Sequence, residues 1–181
     1  MSAGRALINA RDLLQAVHVR PGQCVADFGC GRSGHLIFPA SWAVGDSGKV
    51  YAVDVSKVVL DQVMGHAPHA RATNVHPVLG DVEHMSGSGL ADASVDHVFC
   101  VNNLWCLHDY PALLQEMRRV VKPDGFGYLV DWHKETRHPV APQRTDRARM
   151  DHVLWLLSEE GIEAKPFYVS PYHWGLALKF L

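Results

Sequence analysis

The chain predicts an α/β fold, a three-layer αβα sandwich around a mostly parallel sheet. Three observations carry that expectation. Short apolar runs alternate five times with stretches of helical periodicity, which argues for parallel strands covered by helices on both faces. The first run leads into a turn carrying Gly29, Gly31 and Gly34. The last two runs are joined by Ser170-Pro171, short enough for an antiparallel hairpin.

Residues 5 to 18 place Ala6, Leu7, Ala10, Leu13, Leu14 and Val17 at helical spacing, and Pro21-Gly22 stops that helix. Cys24 to Phe28 reads as the first strand, followed by the glycine turn and a helix from about residue 35 to 43. Lys49 to Asp54, KVYAVD, is apolar on both faces, as a buried parallel strand is. Ser56 suits an N-cap, and the helix after it carries Val59, Leu60, Val63 and Met64 and frays near Pro68. Val75 to Leu79 is a third strand, followed by a Gly/Ser-rich piece from 86 to 89. Val95 to Val101 is the fourth. Pro111 sits near a helix start, where its missing N–H is harmless. That helix buries Leu113, Leu114, Met117, Val120 and Val121 and stops at Pro123-Asp124-Gly125. Phe126 to Trp132 is the fifth strand and 133 to 146 a polar loop. A last helix from Arg147 to Glu160 ends at Gly161. Strands Ile162 to Val169 and Tyr172 to Phe180 close the chain.

At 181 residues, the sequence fits a single domain, 1–181, in which residues 1–20 form an N-terminal helical cap. A formal net charge of −2 gives no reason to expect nucleic acid or a membrane surface as a partner. The N-terminus lacks the apolar core of a leader, and no run is long enough for a membrane span. A cytoplasmic protein, monomeric or homodimeric, is expected. The four cysteines, Cys24, Cys30, Cys100 and Cys106, form no C-x-x-C pair and read as free thiols. His66, His69, His76 and His84 are scattered, so no metal site is expected.

Polar residues stand where ligands collect in such sheets, at the C-terminal strand ends. The first strand carries Asp27 into the glycine turn, VADFGCGRSG. A turn of this kind lets backbone N–H groups approach an anionic ligand, with the helix N-terminus behind them. The second strand ends in Asp54, which can accept from both hydroxyls of a ribose. The third ends in Gly80-Asp81, where a carboxylate can accept from an adenine amine. The fourth ends in Asn102-Asn103. Together they point to a ligand containing a nucleoside. Asp27 argues against a pyrophosphate, since unit charges about 4 Å apart interact by roughly 1 kcal/mol in water and about 4 at an effective dielectric of 20. It favours a ligand with an ammonium, and S-adenosylmethionine matches group by group.

The chain resembles the class I S-adenosylmethionine-dependent methyltransferases over nearly its whole length. VADFGCGRSG is similar to their D/E-x-G-x-G loop, VYAVDVS to their second-strand motif and GDVEH to their adenine-contacting acid. SVDHVFCVNNL, LLQEMRRVVKPDGFGYLVDW and YHWGLALKF resemble their fourth strand, fifth-strand segment and closing strand. The resemblance implies a Rossmann-like sheet in the order 3-2-1-4-5-7-6 with strand 7 antiparallel. It implies that Asp27, Gly29, Cys30 and Gly31 hold the methionine end. By the same resemblance Asp54 and Val55 hold the ribose and adenine, Asp81 and Val82 meet the adenine, and Asn102 lies near the ammonium and sulfonium. Gly34 departs from the usual loop, and no large inserted substrate domain is present.

Methyl transfer from a sulfonium needs mainly positioning, with a base only where the acceptor loses a proton. His108, Asp131 and His133 are the candidates for that base. Asn103 and Trp105 are candidates for the wall of a pocket for a small-molecule acceptor. Lys134, Arg137, Arg144, Arg147 and Arg149 make the segment after the fifth strand basic, either as a solvated loop or as a receiver of an anionic acceptor. Arsenite methylation needs converging thiols, for which Cys30 and Cys106 are the candidates. Two other readings are a non-catalytic sensor or scaffold that retains the pocket and a nicotinamide-dependent oxidoreductase.

Overall fold

The computed structural model describes residues 7–180. Its strands are β1 (Cys24–Phe28), β2 (Lys49–Asp54), β3 (Val75–Leu79), β4 (Val95–Val101), β5 (Val121–Trp132), β6 (Glu163–Ser170) and β7 (His173–Lys179). Its helices are α1 (Ala10–Ala16), α2 (Ile37–Val44), α3 (Lys57–Ala70), α4 (Tyr110–Val120) and α5 (Met150–Glu159). The strands form a single sheet in the order β3-β2-β1-β4-β5-β7-β6. Neighbours from β3 to β5 pair in parallel, and β7 runs antiparallel to β5 and β6. The expected Rossmann-like order is therefore the observed one. Its topological switch lies between β1 and β4, where such sheets open a crevice at their C-terminal edge.

Two apolar layers hold the sheet. On one face Leu13, Leu14, Ile37, Phe38, Leu60 and Val63 from α1, α2 and α3 cover Val25, Val50 and Phe99. On the other, Leu113, Met117, Val153 and Leu157 from α4 and α5 cover Ala26, Val98, Leu129 and Leu176. Each fully buried aliphatic side chain contributes roughly 1.5–3 kcal/mol.

Several boundaries differ from the sequence expectation. The first helix starts at Ala10, because Asn9 Oδ1 accepts from the N–H groups of Arg11 and Asp12; residues 5 and 6 of the expected helix lie outside the described residues. It packs against α2, in the layer with Ile37 and Phe38. The second helix starts at Ile37, two residues later than expected. The third does not fray at Pro68 and continues to Ala70, with Arg71 in the left-handed region as its stop. Pro123-Asp124-Gly125 does not precede β5 but lies inside it. Val95 pairs with Val121 and His97 with Phe126, so residues 122–125 form a bulge. The last helix starts at Met150, because Arg147 and Ala148 are buried in the preceding loop.

Between β3 and β4 the described chain has turns rather than a helix. Glu116 of α4, fully buried, holds this segment, accepting from Ser86 N at 2.8 Å, from Ser88 N at 3.0 Å and from the Ser88 hydroxyl. Arg119 completes the cluster, donating to Glu116 and to Asp92. Burial pushes the Glu116 carboxyl up, but hydrogen bonds from Arg119, Ser88 and Ser86 outweigh it and hold it at about 2.

Candidate active site

The ends of β1, β2 and β3 are tied together by backbone bonds. Gly29 N and Cys30 N both donate to the Val53 carbonyl, at 2.9 and 3.0 Å. Gly31 N donates to Asp54 Oδ2 at 3.3 Å, and Gly80 N donates to Asp54 O at 3.1 Å. The glycine turn thus departs from the expectation that its first amides face a ligand. Pairing between β1 and β2 continues into the turn and consumes them. Gly29 and Gly31 have φ of +75° and +61°, a region open to glycine. Asp54 Oδ1 accepts from Ser56 N at 3.0 Å, and Ser56 in turn caps α3 through Val59 N. Val55 between them is exposed, an apolar side chain left at the strand end.

Asp81 sits at the end of β3 with Oδ1 accepting from Glu83 N at 3.0 Å and Oδ2 lying 3.4 Å from His84 Nε2. Val82 is buried in the core beside α4 rather than open to solvent. Glu83, which no sequence pattern marks, accepts from the N–H groups of His108 and Asp109. It links the end of β3 to the segment after β4.

Asp27 is the electrostatic centre. Its carboxyl is buried, and Oδ1 has no hydrogen-bond partner. Burial and the neighbouring Asp54 carboxylate push it up to about 7. A buried acid held in this state favours a cation or a strong donor beside it. Asn102, in the left-handed region at φ +58°, also has a buried and unpartnered Oδ1. The two orphaned acceptors stand at the ends of β1 and β4, on either side of the switch. The donor-rich ammonium and hydroxyls of a nucleoside that carries an amino acid through a thioether or sulfonium fit this set, and a pyrophosphate does not.

Asn103 lies on the glycine turn and not only on the acceptor side. Its Nδ2 donates to Phe28 O at 2.9 Å and Gly29 O at 2.7 Å. A short 3-10 turn, Leu104–Cys106, follows it. Trp105 Nε1 donates to Asn102 O at 3.0 Å, which fixes the indole. A cavity of about 480 Å³ opens beside Asn102, between Trp105 and Trp132 and the loop residues Val140 and Pro142.

The candidate bases do not converge, and no hydrogen bond among the described residues joins them. Asp131 is fully buried, with Oδ2 accepting from Leu104 N at 2.9 Å and Oδ1 from Trp132 N at 2.6 Å. Burial raises its carboxyl to about 6 against the lowering effect of those two N–H groups. His108 and His133 are exposed. The basic loop is largely paired within itself. The buried Arg147 guanidinium donates to the carbonyls of Pro142, His133, Lys134 and Thr136. Arg144 pairs with Glu135 and Arg149 with Asp151. Cys106 is exposed and Cys30 and Cys100 are buried. Among the described residues no three His, Cys, Asp or Glu side chains group to hold a metal ion, and no helix is long and apolar enough to cross a membrane.

The family of the methyltransferase domain matches residues 25–125. Among curated relatives, a 2-phytyl-1,4-naphtoquinone methyltransferase from Trichormus variabilis is 28% identical over 84% of this chain and 65% of its own length. A demethylmenaquinone methyltransferase from Staphylococcus haemolyticus is 31% identical over 73% of this chain and 51% of its own. The nocamycin O-methyltransferase of Saccharothrix syringae is 32% identical over 64% and 40%. The chain thus spans less than two thirds of the length of these relatives. Among solved structures, a SAM dependent methyltransferase from Aquifex aeolicus superposes with a TM-score of 0.88 at 25% identity, covering 98% of this chain and 93% of that one. The matched segment runs from β1 to the bulge of β5 and contains the glycine turn, Asp54, Asp81 and Asn102, so the sequence match and the strand-end geometry fall on the same residues, and the chain belongs to the methyltransferase domain family.

Proposed function

We propose that this chain transfers a methyl group from S-adenosylmethionine to a small, uncharged, planar acceptor. The observation that carries the reading is Asp27, a buried acid with an unpartnered oxygen at the glycine turn. When bound, S-adenosylmethionine supplies an activated methyl on its sulfonium. Asp27 and Asn102 receive the ammonium of its methionine end. Asp54 takes the ribose hydroxyls, Val55 covers the adenine, and Asp81 accepts from the adenine amine. Carboxylates on that scale contribute about 1.5–3 kcal/mol per hydrogen bond to the charged group.

Asn102 also borders the cavity beside Trp105 and Trp132, so an acceptor there stands next to the methionine end. The walls combine the indoles of Trp105 and Trp132 and the aliphatic Val140, Ala141 and Pro142 with the polar Asn102, Gln143 and Asp146, and three cations of the loop, Arg144, Arg147 and Arg149, are held by Glu135, by carbonyls and by Asp151. An anionic acceptor finds no free charge in Arg144, Arg147 or Arg149, whereas a flat apolar ring finds indole faces. The quinone-named relatives support the same acceptor class. Asp131 orients the segment after β4 through Leu104 N, and transfer proceeds by proximity and alignment, the hydroxyl of the acceptor giving its proton to solvent as the methyl is received.

Calorimetric titration with S-adenosylhomocysteine, with NADH in parallel, tests the cofactor. Transfer of labelled methyl from S-adenosylmethionine to a panel of hydroxylated bicyclic aromatics tests the reaction. Binding of S-adenosylhomocysteine alone together with labelled product is the expected result. NADH binding alone returns the chain to the oxidoreductase reading, and binding without product on any acceptor makes it a sensor.

A further inference from the structure

At the opposite edge of the sheet lies a second cavity, of about 670 Å³, built from the starts of β4 and β5 and the end of α1. Neither the glycine turn nor any proposed cofactor contact borders it. Its floor is aromatic. Phe126 and Tyr128 lie near-parallel with centroids 6.4 Å apart, and Phe167 meets Tyr128 edge-on at 6.2 Å. Phe126 remains exposed, a large ring left without a full partner.

Behind the floor is a buried polar relay. His97 Nε2 lies 3.1 Å from Gln23 Oε1, an oxygen that can only accept, so that nitrogen carries the proton. His97 Nδ1 then accepts from the Tyr128 hydroxyl at 3.2 Å. The relay is complete within the protein and fixes the Tyr128 ring. Burial lowers the imidazole to about 4 and keeps it neutral.

The rim is charged, and its charges are unequal in availability. Lys122 is held by Asp96 at 2.8 Å, and that carboxylate also accepts from Cys24 N. Lys179 donates to the carbonyls of Pro123 and Gly125 and lies over the Phe126 ring. Arg20 is exposed, and no ion pair among the described residues involves it. Asp124 on the bulge faces the same rim, so a ligand must keep its negative group on the Arg20 side.

We propose that this cavity is a second small-molecule site, separate from the methyl-transfer site, that binds a planar aromatic carboxylate with its ring on Phe126, Tyr128 and Phe167 and its carboxylate on Arg20. The inference does not depend on the reaction assigned to the other edge. His97 at this cavity and Asn102, just past the end of β4 at the other, are five residues apart, about 17 Å at roughly 3.3 Å per residue, and the two cavities share no lining residue, so their ligands do not compete.

The test uses the full chain with indole-3-acetate as the probe and indole and tryptamine as controls, read by calorimetry and ligand-observed NMR. The expected result is saturable binding of indole-3-acetate, weaker binding of the other two, and no change when S-adenosylhomocysteine is added to saturation. Ala177→Trp, which fills the cavity opposite Tyr128, weakens binding more than about tenfold. Arg20→Gln, a surface change that leaves folding intact, weakens indole-3-acetate by about two- to fivefold and leaves indole unaffected. Absence of saturable binding, displacement by S-adenosylhomocysteine, or binding indifferent to both substitutions overturns the proposal. Failure of S-adenosylhomocysteine to bind overturns only the reading of the other edge.

Discussion

The side-chain amide of Asn103 occupies the one direction in which Gly29 could carry a side chain. A Cβ on Gly29 would collide with that amide, while the amide itself donates to Gly29 O at 2.7 Å. The segment after β4 is thereby fastened to the turn after β1. Gly29→Ala combines this collision with a φ of +75°, and a loss of about 1–3 kcal/mol in urea unfolding is expected. Asn103→Ala alone costs about 1 kcal/mol. In the double variant the collision is gone and only the backbone strain remains, so the two losses add to less than their sum. Full additivity in that cycle contradicts the contact.

Asp27→Asn separates stability from binding. An acid whose folded value is raised from 3.8 to about 7 destabilises the fold as pH rises from 3.8 to 7, and the penalty is fully present above 7. The asparagine variant is therefore more stable than the parent by about 1–3 kcal/mol at pH 8 and gains little at pH 4. Thermal melts across that range measure it. The same variant binds S-adenosylhomocysteine more weakly, because the ammonium loses its counter-charge. Equal melting curves at pH 8 contradict the buried, unpaired state of Asp27.

Asp54→Ala removes the carboxylate proposed for the ribose and also frees Gly31 N and Ser56 N. S-adenosylhomocysteine affinity falls by about 1.5–3 kcal/mol by calorimetry. An unchanged affinity in a folded variant removes Asp54 from the site.

Arg147→Met releases four carbonyls that the guanidinium now gathers. Limited proteolysis within 133–146 accelerates, methyl transfer falls, and S-adenosylhomocysteine affinity is retained, since no cofactor contact lies in that loop. Loss of cofactor affinity in equal measure places the loop in the wrong role.

The sequence was most informative where burial sets the pattern. KVYAVD, apolar on both faces, and VDHVFCV, a run that is mostly apolar, appear as β2 and β4 with the bounds read from them. Local patterning misled at β5, where Lys122-Pro123-Asp124-Gly125 has turn chemistry but sits as a bulge, because Val121 still pairs with Val95. It misled at α5, whose first expected turn is drawn off by Arg147 reaching back to residues 133–142. The acids at the strand ends were visible from spacing. Glu83, Asn103 and Arg147 as fasteners were not, because all their partners but Pro142 lie 11 to 75 residues away, and no local period encodes such a distance.

The Glu116 cluster gives the crossing from β3 to β4 its own mode of failure. A helix there would hold itself with its own ladder of bonds. The turns make short bonds of their own, Asp81 N to Gly87 O and Gly87 N to His84 O, both at 2.8 Å, and the bonds to Glu116 come from an element later in the chain. During ribosomal synthesis the segment therefore gains its full set of bonds only once residues 110–120 have emerged. In the finished protein, release of the Glu116 carboxylate removes three of these bonds at once and leaves the turns to their own short-range ones.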